Sequence, residues 1–442
     1  MADVDLEQAG LPLTVEDRAI LAKESATVVG HIGKIVLVSS TLDTAALRKS
    51  VSTRLTATPS LTRKLGGSPS APCWVPDDEF AIDEHIVEWR YSTPLAEEEL
   101  AETVAELFAE RLDRRRPLWR MDVIHPLWNG GSAILWRVSH ALADGATWVK
   151  FAAALLWDVG GDHASPPEAT VARAAAAAEA SHHRHRRDLV GLVRREFGRV
   201  HGRSPFDGRI GSRRAVSFAS TSLPELRAAA KGVDRAATVN DAVLASVAGG
   251  LRTWLGLHDR AVRPLRCKVP VSLHHAGDDL ANRDSFFYVN LPLGDPDPRE
   301  RLRTIRRETS VRKRSHDAEE MDRLLETLGR IPHLRTMCEQ LLFDPRRFAI
   351  NISTVRGPAY AVSVLGAPVS ALFAIADVAE RHALRVAAIS LDDQIHFGFC
   401  ADPHLIEDLS TLARAVATQA TELSRASAGK SAAARPPNGH GA

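Results

Sequence analysis

The sequence predicts an α+β protein made of two lobes. The chain has 442 residues, which is enough for two or three domains. In both halves, strand patterns alternate with amphipathic helical patterns, and some strands are joined by hairpins rather than helices. An alanine run and a basic stretch separate the two halves. We therefore expect an N-terminal lobe over residues 1–160, a linker over 161–212, a C-terminal lobe over 213–425 and a disordered tail over 426–442.

The elements of the N-terminal lobe follow from hydrophobic periodicity and turn residues. Thr14-Val15-Glu16-Asp17 is typical of a helix start, and Asn129-Gly130-Gly131 predicts a hairpin. Strands are predicted where β-branched residues dominate, at 31–39, 81–89, 119–124 and 132–138. Helices are predicted at 42–55, 95–112 and 148–157.

The C-terminal half repeats this mixture of elements. Its strands are predicted at 214–220, 265–272, 286–293, 349–354, 385–390 and 394–400. Its helices are predicted at 223–230, 239–255, 299–342 and 405–423. No fixed-period repeat is visible in the sequence of either half.

Composition and charge argue against several classes of protein. The sequence has no secretory signal pattern and no run of about 18 apolar residues, so we expect a cytoplasmic protein without a membrane-spanning helix. The net charge is +1, and the basic clusters contain no interleaved aromatic residues, which argues against nucleic acid as a partner. The cysteines have no metal-ligand spacing and are expected to be thiols in a reducing compartment: Cys73, Cys267, Cys338 and Cys400.

One segment, Ser139-His140-Ala141-Leu142-Ala143-Asp144-Gly145, has the composition of a catalytic loop. It lies where a predicted strand passes into a helix. A neutral imidazole can accept a proton at cytoplasmic pH, so His140 is the candidate general base. Asp144 can fix the loop, and Gly145 allows close backbone approach. Taken alone, the HxxxDG pattern is weakly specific, and an isolated instance is more often a hydrogen-bonded loop histidine than a catalytic base.

Several further motifs accompany this segment in a fixed order, and together they resemble the bacterial wax ester synthase/diacylglycerol acyltransferase family. The resemblance covers roughly residues 11–425, and no single motif carries it. The motifs are Leu13-Thr14-Val15-Glu16-Asp17, His31-Ile32-Gly33, Trp74-Val75-Pro76, Ile82-Asp83-Glu84-His85, Pro117-Leu118-Trp119, Asn240-Asp241, Val269-Pro270-Val271-Ser272, Ala281-Asn282-Arg283, Arg356-Gly357-Pro358 and Ser390-Leu391-Asp392-Asp393.

The resemblance implies two chloramphenicol-acetyltransferase-like lobes with an active-site tunnel between them. It also implies transfer of a long-chain acyl group from acyl-CoA, as a cosubstrate, to diacylglycerol or a fatty alcohol, with no metal or other cofactor. The family motif is HHxxxDG, and its second histidine, the base, matches His140. Ser139 stands where the family has its first histidine; as a strand residue it should point away from His140. Asp144 and Gly145 match the family pattern, and Asp144 is expected to shape the loop.

Other motif residues have a structural interpretation beside the functional one. Asn240 is expected either to donate a hydrogen bond near the oxyanion or, with Asp241, to cap the following helix. Pro117-Leu118-Trp119 is expected to pack beneath the site rather than take part in chemistry. Arg356-Gly357-Pro358 predicts a turn. His182-His183 and His274-His275 lack an Asp-Gly at the right spacing and are expected at the surface.

Two basic stretches leave alternatives open. Residues 187–203 combine arginines with apolar residues at helical spacing, which fits either an amphipathic helix on a membrane or lipid-droplet surface or a solvated linker helix. Arginines between Arg301 and Arg314 could meet the phosphates of CoA or form a solvated helical face. The protein is therefore expected in the cytoplasm, with peripheral attachment to the inner membrane face or to lipid droplets as an open alternative.

Two alternative functions remain at the level of sequence. Ser139 motivates a catalytically weak paralogue that binds lipid or CoA. The HxxxDG pattern also occurs in acyltransferases that use another alcohol or an amine as acceptor. The sequence does not rank diacylglycerol against fatty alcohol, and it predicts neither the acyl chain length nor the oligomeric state.

Overall fold

The structure, a computed structural model, describes residues 10–68, 71–158, 204–272, 284–315, 317, 321 and 345–433. In these ranges two six-stranded sheets each pack against helices. The predicted α+β class with two sheet-rich lobes is confirmed. The linker from 159 to 203, including the predicted basic helix and His182-His183, lies outside the described residues, as do His274-His275 and Ala281-Asn282-Arg283.

The N-terminal lobe is built on a six-stranded sheet with the order β12-β13-β2-β7-β6-β5. Its strands are β2 (His31–Val38), β5 (Ile86–Leu95), β6 (Trp119–Leu127), β7 (Ser132–Ser139), β12 (Ser363–Val364) and β13 (Ala367–Ala376). A small sheet of β1 (Leu11–Pro12), β3 (Arg63–Ser68) and β4 (Ala71–Pro76) lies beside it. The helices are α1 (Val15–Lys23), α2 (Thr44–Arg54), α3 (Ile82–His85), α4 (Glu97–Ala109) and α5 (Gly145–Leu155).

The C-terminal lobe has a second six-stranded sheet, with the order β10-β9-β11-β14-β15-β8. Its strands are β8 (Ala215–Ser222), β9 (Leu265–Ser272), β10 (Asp284–Leu291), β11 (Ile350–Val355), β14 (Leu384–Leu391) and β15 (Gln394–Ala401). Its helices are α6 (Leu223–Val233), α7 (Val239–Leu257), α8 (Pro298–Arg314) and α9 (Leu409–Ala433).

Strand β13 crosses from the C-terminal part of the chain into the N-terminal sheet. It pairs antiparallel with β2, so that Ala374 lies opposite Lys34 and Ala376 opposite Ile32. The sequence analysis did not identify this strand. The N-terminal sheet is thus completed by residues that follow the linker by more than 150 positions, because the chain enters this sheet before β12 and returns to the C-terminal sheet after β13.

The central strands separate two hydrophobic cores. Along β7, Leu135 faces a core shared with α4, whereas Trp136 and Val138 face a core shared with α2 and α5. This alternation is the period of two expected of a strand that is buried on both faces. Because of this alternation, neighbouring residues at the end of β7 lie on opposite faces of the sheet.

Most predicted elements are present, two predictions need correction, and a third is covered only in part. The strand predicted at 81–89 begins only at Ile86, because residues 82–85 form the short helix α3, in which buried His85 bonds to the carbonyl of Trp119. The prediction that disorder begins at residue 426 was wrong as far as Ala433, because the alanine-rich sequence continues α9. Residues 434–442 lie outside the described ranges. The helix predicted at 299–342 is confirmed for Pro298–Arg314, and most of its remainder is also outside.

A buried ion pair joins the two lobes. Arg214, just before β8, donates through Nε to Asp377 Oδ1 at 2.7 Å, and Asp377 follows the end of β13. The other carboxylate oxygen of Asp377 accepts from the Val29 backbone N–H at 2.7 Å, just before β2. The guanidinium of Arg214 also donates to the Thr27 carbonyl. The start of the C-terminal lobe is therefore held against the chain segment that leads into β2.

Candidate active site

His140 lies immediately after the last residue of β7. Its backbone N–H donates to the Gly30 carbonyl at 3.0 Å, which extends the pairing of β7 with the chain before β2. The chain then makes a tight turn, because the N–H groups of Leu142 and Ala143 both donate to the Ser139 carbonyl, at 2.9 and 3.1 Å. Helix α5 begins at Gly145. The predicted strand-to-helix junction is therefore present, and both of its ends are hydrogen-bonded.

Asp144 is the N-cap of α5. Its carboxylate is fully buried and accepts from the Thr147 backbone N–H at 2.7 Å. An Asp in this position satisfies a free N–H group of the first turn and lies at the positive end of the helix dipole. Asp144 therefore connects the loop that carries His140 to the head of α5, and its part in catalysis stays a prediction.

Gly145 lies where α5 meets the C-terminal lobe. A Cβ atom at this position would lie 2.8 Å from Cγ2 of Val355, the last residue of β11. That separation is shorter than a normal van der Waals contact, so a side chain here would force Val355 or the start of α5 to shift. The glycine permits the close approach that brings the His140 segment against the C-terminal sheet.

The environment of His140 favours its neutral form. Burial lowers the pKa of the imidazole to about 4, and the positive charge of Arg385 on β14 acts in the same direction. A hydrogen bond to its own backbone and the charge of Asp144 oppose this shift, whereas Lys34 adds to it. The imidazole is therefore neutral at pH 7 and has a lone pair with which it can accept a proton.

Ser139 lies on the opposite face of the sheet from Trp136 and Val138. It is the cross-strand partner of His31, whose ring packs edge-on against Phe108 of α4 at 4.6 Å between ring centroids. The Ser139 hydroxyl accepts from the Ala141 backbone N–H at 3.3 Å. The orientation expected from strand alternation is thus found, and the hydroxyl contributes to the turn after β7.

Pro117-Leu118-Trp119 lies beneath the His140 turn. The Leu118 carbonyl accepts from the Ser139 N–H at 2.9 Å, and Leu118 packs with Ala141. Trp119 is buried, donates through Nε1 to the Leu61 carbonyl at 2.7 Å and stacks on His85, with ring centroids 4.5 Å apart. These contacts agree with the packing interpretation.

Asp241 and Asn240 differ in what they contact. Thr238 is the N-cap of α7, and Asp241 completes the capping box by accepting from the Thr238 backbone N–H at 2.8 Å. The second oxygen of Asp241 accepts from the Thr309 hydroxyl of α8 at 2.7 Å. Asn240 is not the cap: its amide oxygen accepts from the Thr354 hydroxyl at 2.8 Å.

Asn240 is consequently placed near the His140 segment by β11. Thr354 precedes Val355, the residue that touches Gly145. The amide nitrogen of Asn240 makes no hydrogen bond to any residue that the structure describes. It is therefore available as a donor at the junction of the lobes, and the oxyanion role stays a prediction.

The remaining basic and turn motifs are largely engaged in structural contacts. Arg301 and Arg312 of α8 are buried, so the solvated-face interpretation is wrong for these two residues. Arg301 donates to the Asp295 carbonyl at 2.9 Å, and Arg312 pairs with Asp317 at 3.4 Å. In the predicted turn, the Gly357 N–H donates to the Ser390 hydroxyl at 3.2 Å.

A cavity of about 230 Å³ lies at the start of β6, bordered by Pro117 and Trp119. Charged side chains of both signs line the rest, and at least one pair, Arg116 with Glu84, is an ion pair across it. Its lining includes Arg120 of β6, whose Nε donates to Asp122 at 2.8 Å. Several of the charges that line the cavity are therefore already paired.

Sequence reasoning missed two charged residues at the site, Lys34 and Arg385. Apart from His31, Lys34 is the only polar residue of β2, a strand in which every residue is buried. A lone lysine in such a strand was a usable signal. Arg385 is likewise the only charged residue of β14, but its approach to His140 depends on the pairing of distant parts of the chain, which the sequence of β14 does not show.

Two further observations concern membranes and metals. No described helix is long and apolar enough to cross a membrane. Within the described residues, no group of three or more His, Cys, Asp or Glu side chains is arranged to hold a metal ion. The three described cysteines, Cys73, Cys267 and Cys400, are free.

Solved structures with the same fold are found among acyl-transfer and condensation enzymes. A wax ester synthase/diacylglycerol acyltransferase from Marinobacter aquaeolei superposes with a TM-score of 0.72 at 23% identity, covering 95% of this chain and 100% of that one. The first condensation domain of the calcium-dependent antibiotic synthetase superposes with a TM-score of 0.65 at 15% identity, covering 96% of this chain and 97% of that domain. These two likenesses establish the fold.

Sequence comparison identifies the family. A diacylglycerol O-acyltransferase of Mycobacterium tuberculosis is 28% identical over 387 residues, covering 78% of this chain and 80% of the relative. The O-acyltransferase WSD of Acinetobacter baylyi is 26% identical over 359 residues, covering 74% and 78%. Residues 13–203 match the wax ester synthase/diacylglycerol acyltransferase catalytic domain, and residues 280–424 match the WS/DGAT C-terminal domain. The chain therefore belongs to the wax ester synthase/diacylglycerol acyltransferase family of acyltransferases.

Proposed function

We propose that this acyltransferase moves a long-chain acyl group from acyl-CoA to the hydroxyl of diacylglycerol or of a long-chain alcohol, with His140 as the general base. The observation that supports the base is the placement of a neutral imidazole at the junction of the two lobes, directly before the N-terminus of α5. Family membership supports the donor and the class of acceptor.

The reaction follows from this arrangement. The imidazole of His140 accepts the hydroxyl proton as the alcohol oxygen attacks the thioester carbon, which forms a tetrahedral oxyanion. When the intermediate collapses, the C–S bond breaks, and the imidazolium returns the proton to the departing thiolate. The products are the ester and CoASH, and His140 is neutral again.

Asn240 supports the intermediate in this scheme. Its amide nitrogen is available at the junction of the lobes, while its amide oxygen is held by Thr354. A donor fixed in this way can stabilise the oxyanion without reorganisation during the reaction. Loss of one such donor typically lowers kcat by about 10²–10³-fold.

Membrane attachment belongs to the same proposal. Both acceptors are water-insoluble, so an enzyme without a spanning helix among its described elements would meet them at a lipid surface. We propose peripheral attachment to the inner membrane face or to lipid droplets. Flotation of the full chain with anionic and neutral vesicles measures this directly.

The experiment that tests the function follows thiol release and product lipids. Purified enzyme is given long-chain acyl-CoA with either dioleoylglycerol or hexadecanol, and His140→Ala is compared with His404→Ala, a control in which an exposed histidine outside the site is removed. We expect acceptor-dependent thiol release that falls by about 10²–10⁴-fold in His140→Ala and is unchanged in the control.

Three outcomes would contradict parts of the proposal. Acyl-CoA binding without turnover on either acceptor would favour the catalytically weak paralogue. Turnover that survives in His140→Ala would exclude His140 as the base. Release of thiol with an amine or another alcohol, but with neither lipid acceptor, would change the substrate and leave the reaction class in place.

A further inference from the structure

Lys34 is a buried lysine in the middle of β2. Only 3% of the residue is exposed to solvent. Its cross-strand partners, Trp136 on β7 and Ala374 on β13, carry no charge. Its ammonium forms neither a hydrogen bond nor an ion pair with any residue in the described part of the chain. Its ammonium lies over the ring of Trp148, 5.7 Å from the centroid.

The position of Lys34 connects it to the His140 segment. Trp148 belongs to the first turn of α5, and its backbone N–H donates to the carbonyl of Asp144 at 3.0 Å. Along β2 and β7, Lys34 shares a face with Trp136, Val138 and the position of His140. The lysine therefore lies beneath the helix end that Asp144 caps.

Three charged or titratable groups act on Lys34 from the elements around it. Asp144 acts from the head of α5, Arg385 from β14 of the other lobe, and His140 from the segment between β7 and α5. The fixed charges of the cluster are thus two cations and one anion. A buried cation without a hydrogen bond is costly, and an apolar side chain would pack better in this core.

We propose that Lys34 is a positioning residue of the acyl-transfer site, which acts through Asp144: its buried ammonium holds the carboxylate at the head of α5 and thereby fixes the segment that carries His140. Asp144 is four residues from His140 and is anchored to Thr147 within α5. A displacement of the carboxylate would therefore displace the imidazole. The proposal rests on the proposed function.

The charge of Lys34 should depend on pH in the working range. Burial lowers the pKa of the ammonium to about 8; the charge of Asp144 opposes this shift and that of Arg385 adds to it. Above pH 8 the folded enzyme would lose the counter-charge beside Asp144. If Lys34 is a positioning residue, activity should decline above pH 8 because Lys34 loses its proton.

Stability and activity should respond in opposite directions. The unfolded chain keeps its lysine protonated up to the ordinary pKa of about 10.4. Between pH 8 and about 10.4 the unfolded state binds more protons than the folded state, so the free energy of unfolding rises with pH. Below pH 8 Lys34 is charged in the folded state too, and the fold is then destabilised by the full cost of burying that charge. Removing the charge should therefore stabilise the fold at pH 7 while it weakens the site.

The test compares wild type with Lys34→Met and Lys34→Gln between pH 6 and pH 10. At pH 7 we expect a Tm for Lys34→Met that is higher by roughly 2–5 °C, and a kcat/KM lower by about 10–100-fold. Both neutral variants should lack the decline above pH 8, so that their profiles approach that of the wild type at high pH. Lys64→Met is the matched control, because Lys64 is paired with Asp77 at the surface of the same lobe.

Three results would overturn the proposal. If both neutral variants had the kcat/KM of the wild type at pH 7, the charge of Lys34 would have no role in the site. A lower Tm with a parallel loss of activity would show a packing role. A decline above pH 8 that persists in both variants would assign it to another group.

A readout independent of turnover separates this proposal from the proposed function. If the wild-type enzyme transfers no acyl group, the proposed function is wrong. NMR titration of the His140 imidazole still tests whether Lys34 acts on the His140 segment. Lys34 lowers the pKa of His140, so Lys34→Met should raise that pKa. An unchanged His140 titration in Lys34→Met would overturn the positioning role.

Discussion

At the scale of single residues, positions 139 and 140 lie on opposite faces of the N-terminal sheet, and the proposed base is at position 140. His140 follows the last residue of β7 and reaches the junction of the lobes, whereas the Ser139 side chain lies on the other face beside His31. A change at 139 is therefore separated from the reacting groups by the sheet itself. The serine that departs from the family pattern affects the turn more than the base.

Ser139→Ala tests this separation. The substitution removes one hydrogen bond, from the Ala141 N–H to the hydroxyl, and should lower the free energy of unfolding by about 1 kcal/mol. We expect kcat/KM to stay within about fivefold of the wild type, a small effect beside the loss expected without the base. Urea unfolding and the thiol-release assay measure the two quantities. A loss of activity as large as that of His140→Ala would place the hydroxyl in the reaction.

At this scale the sequence was enough to name candidate residues wherever their spacing along the chain is short, although their catalytic roles stay predictions. His140, Asp144 and Gly145 could be named because their spacing is local and each residue type has a specific use. Arg385 could not be named, because its proximity to His140 depends on how β14 is placed by strands far away in sequence. Asp241 was named for a motif, and its contacts are those of a helix cap that also bonds to α8.

At the scale of elements, the site depends on the contact between α5 and β11. Gly145 begins the helix, and Val355 ends the strand. The same strand places Thr354 against Asn240 at the head of α7. One strand of the C-terminal lobe thus sets the position of both the His140 segment and the proposed oxyanion donor.

Gly145→Ala should disturb activity more than stability. The added Cβ would lie 2.8 Å from Val355 Cγ2, so α5 or β11 must shift by several tenths of an ångström. Because such a small misplacement can strongly reduce catalysis, we expect kcat/KM to fall by about tenfold or more. Gly256→Ala near the end of α7 is the control, since nothing lies within 4 Å of its added Cβ. Equal activities of the two variants would show that the contact does not position the site.

At the scale of the whole molecule, the two lobes are connected by more than the linker. Strand β13 completes the N-terminal sheet, and the buried Arg214–Asp377 pair joins the C-terminal lobe to the chain before β2. Breaking such a buried pair typically costs about 3–5 kcal/mol, because one charge is left without a partner. The lobes that meet at the His140 segment are therefore held together by both a shared strand and a buried ion pair.

The crossing strand also marks where sequence-based prediction of the architecture ended. Ala367–Ala376 is rich in alanine and has little β-branched content, and its partner β2 lies more than 300 residues earlier. Local propensity does not reveal a pairing of that kind. By contrast, β2, β6 and β7 were identified because each is a β-branched or aromatic strand bounded by clear turn residues.

The central claim is that a neutral His140 is the base, and the pH dependence of kcat/KM below pH 7 tests it most directly. The protonated imidazole is inactive, so activity should be lost as the pH falls through the folded-state value of about 4. We predict a constant kcat/KM from pH 7 to about pH 5 and a decline with a midpoint near 4, measured on enzyme whose fold is verified at each pH. A midpoint near the ordinary histidine value of about 6.5, or no decline before unfolding, would contradict the account.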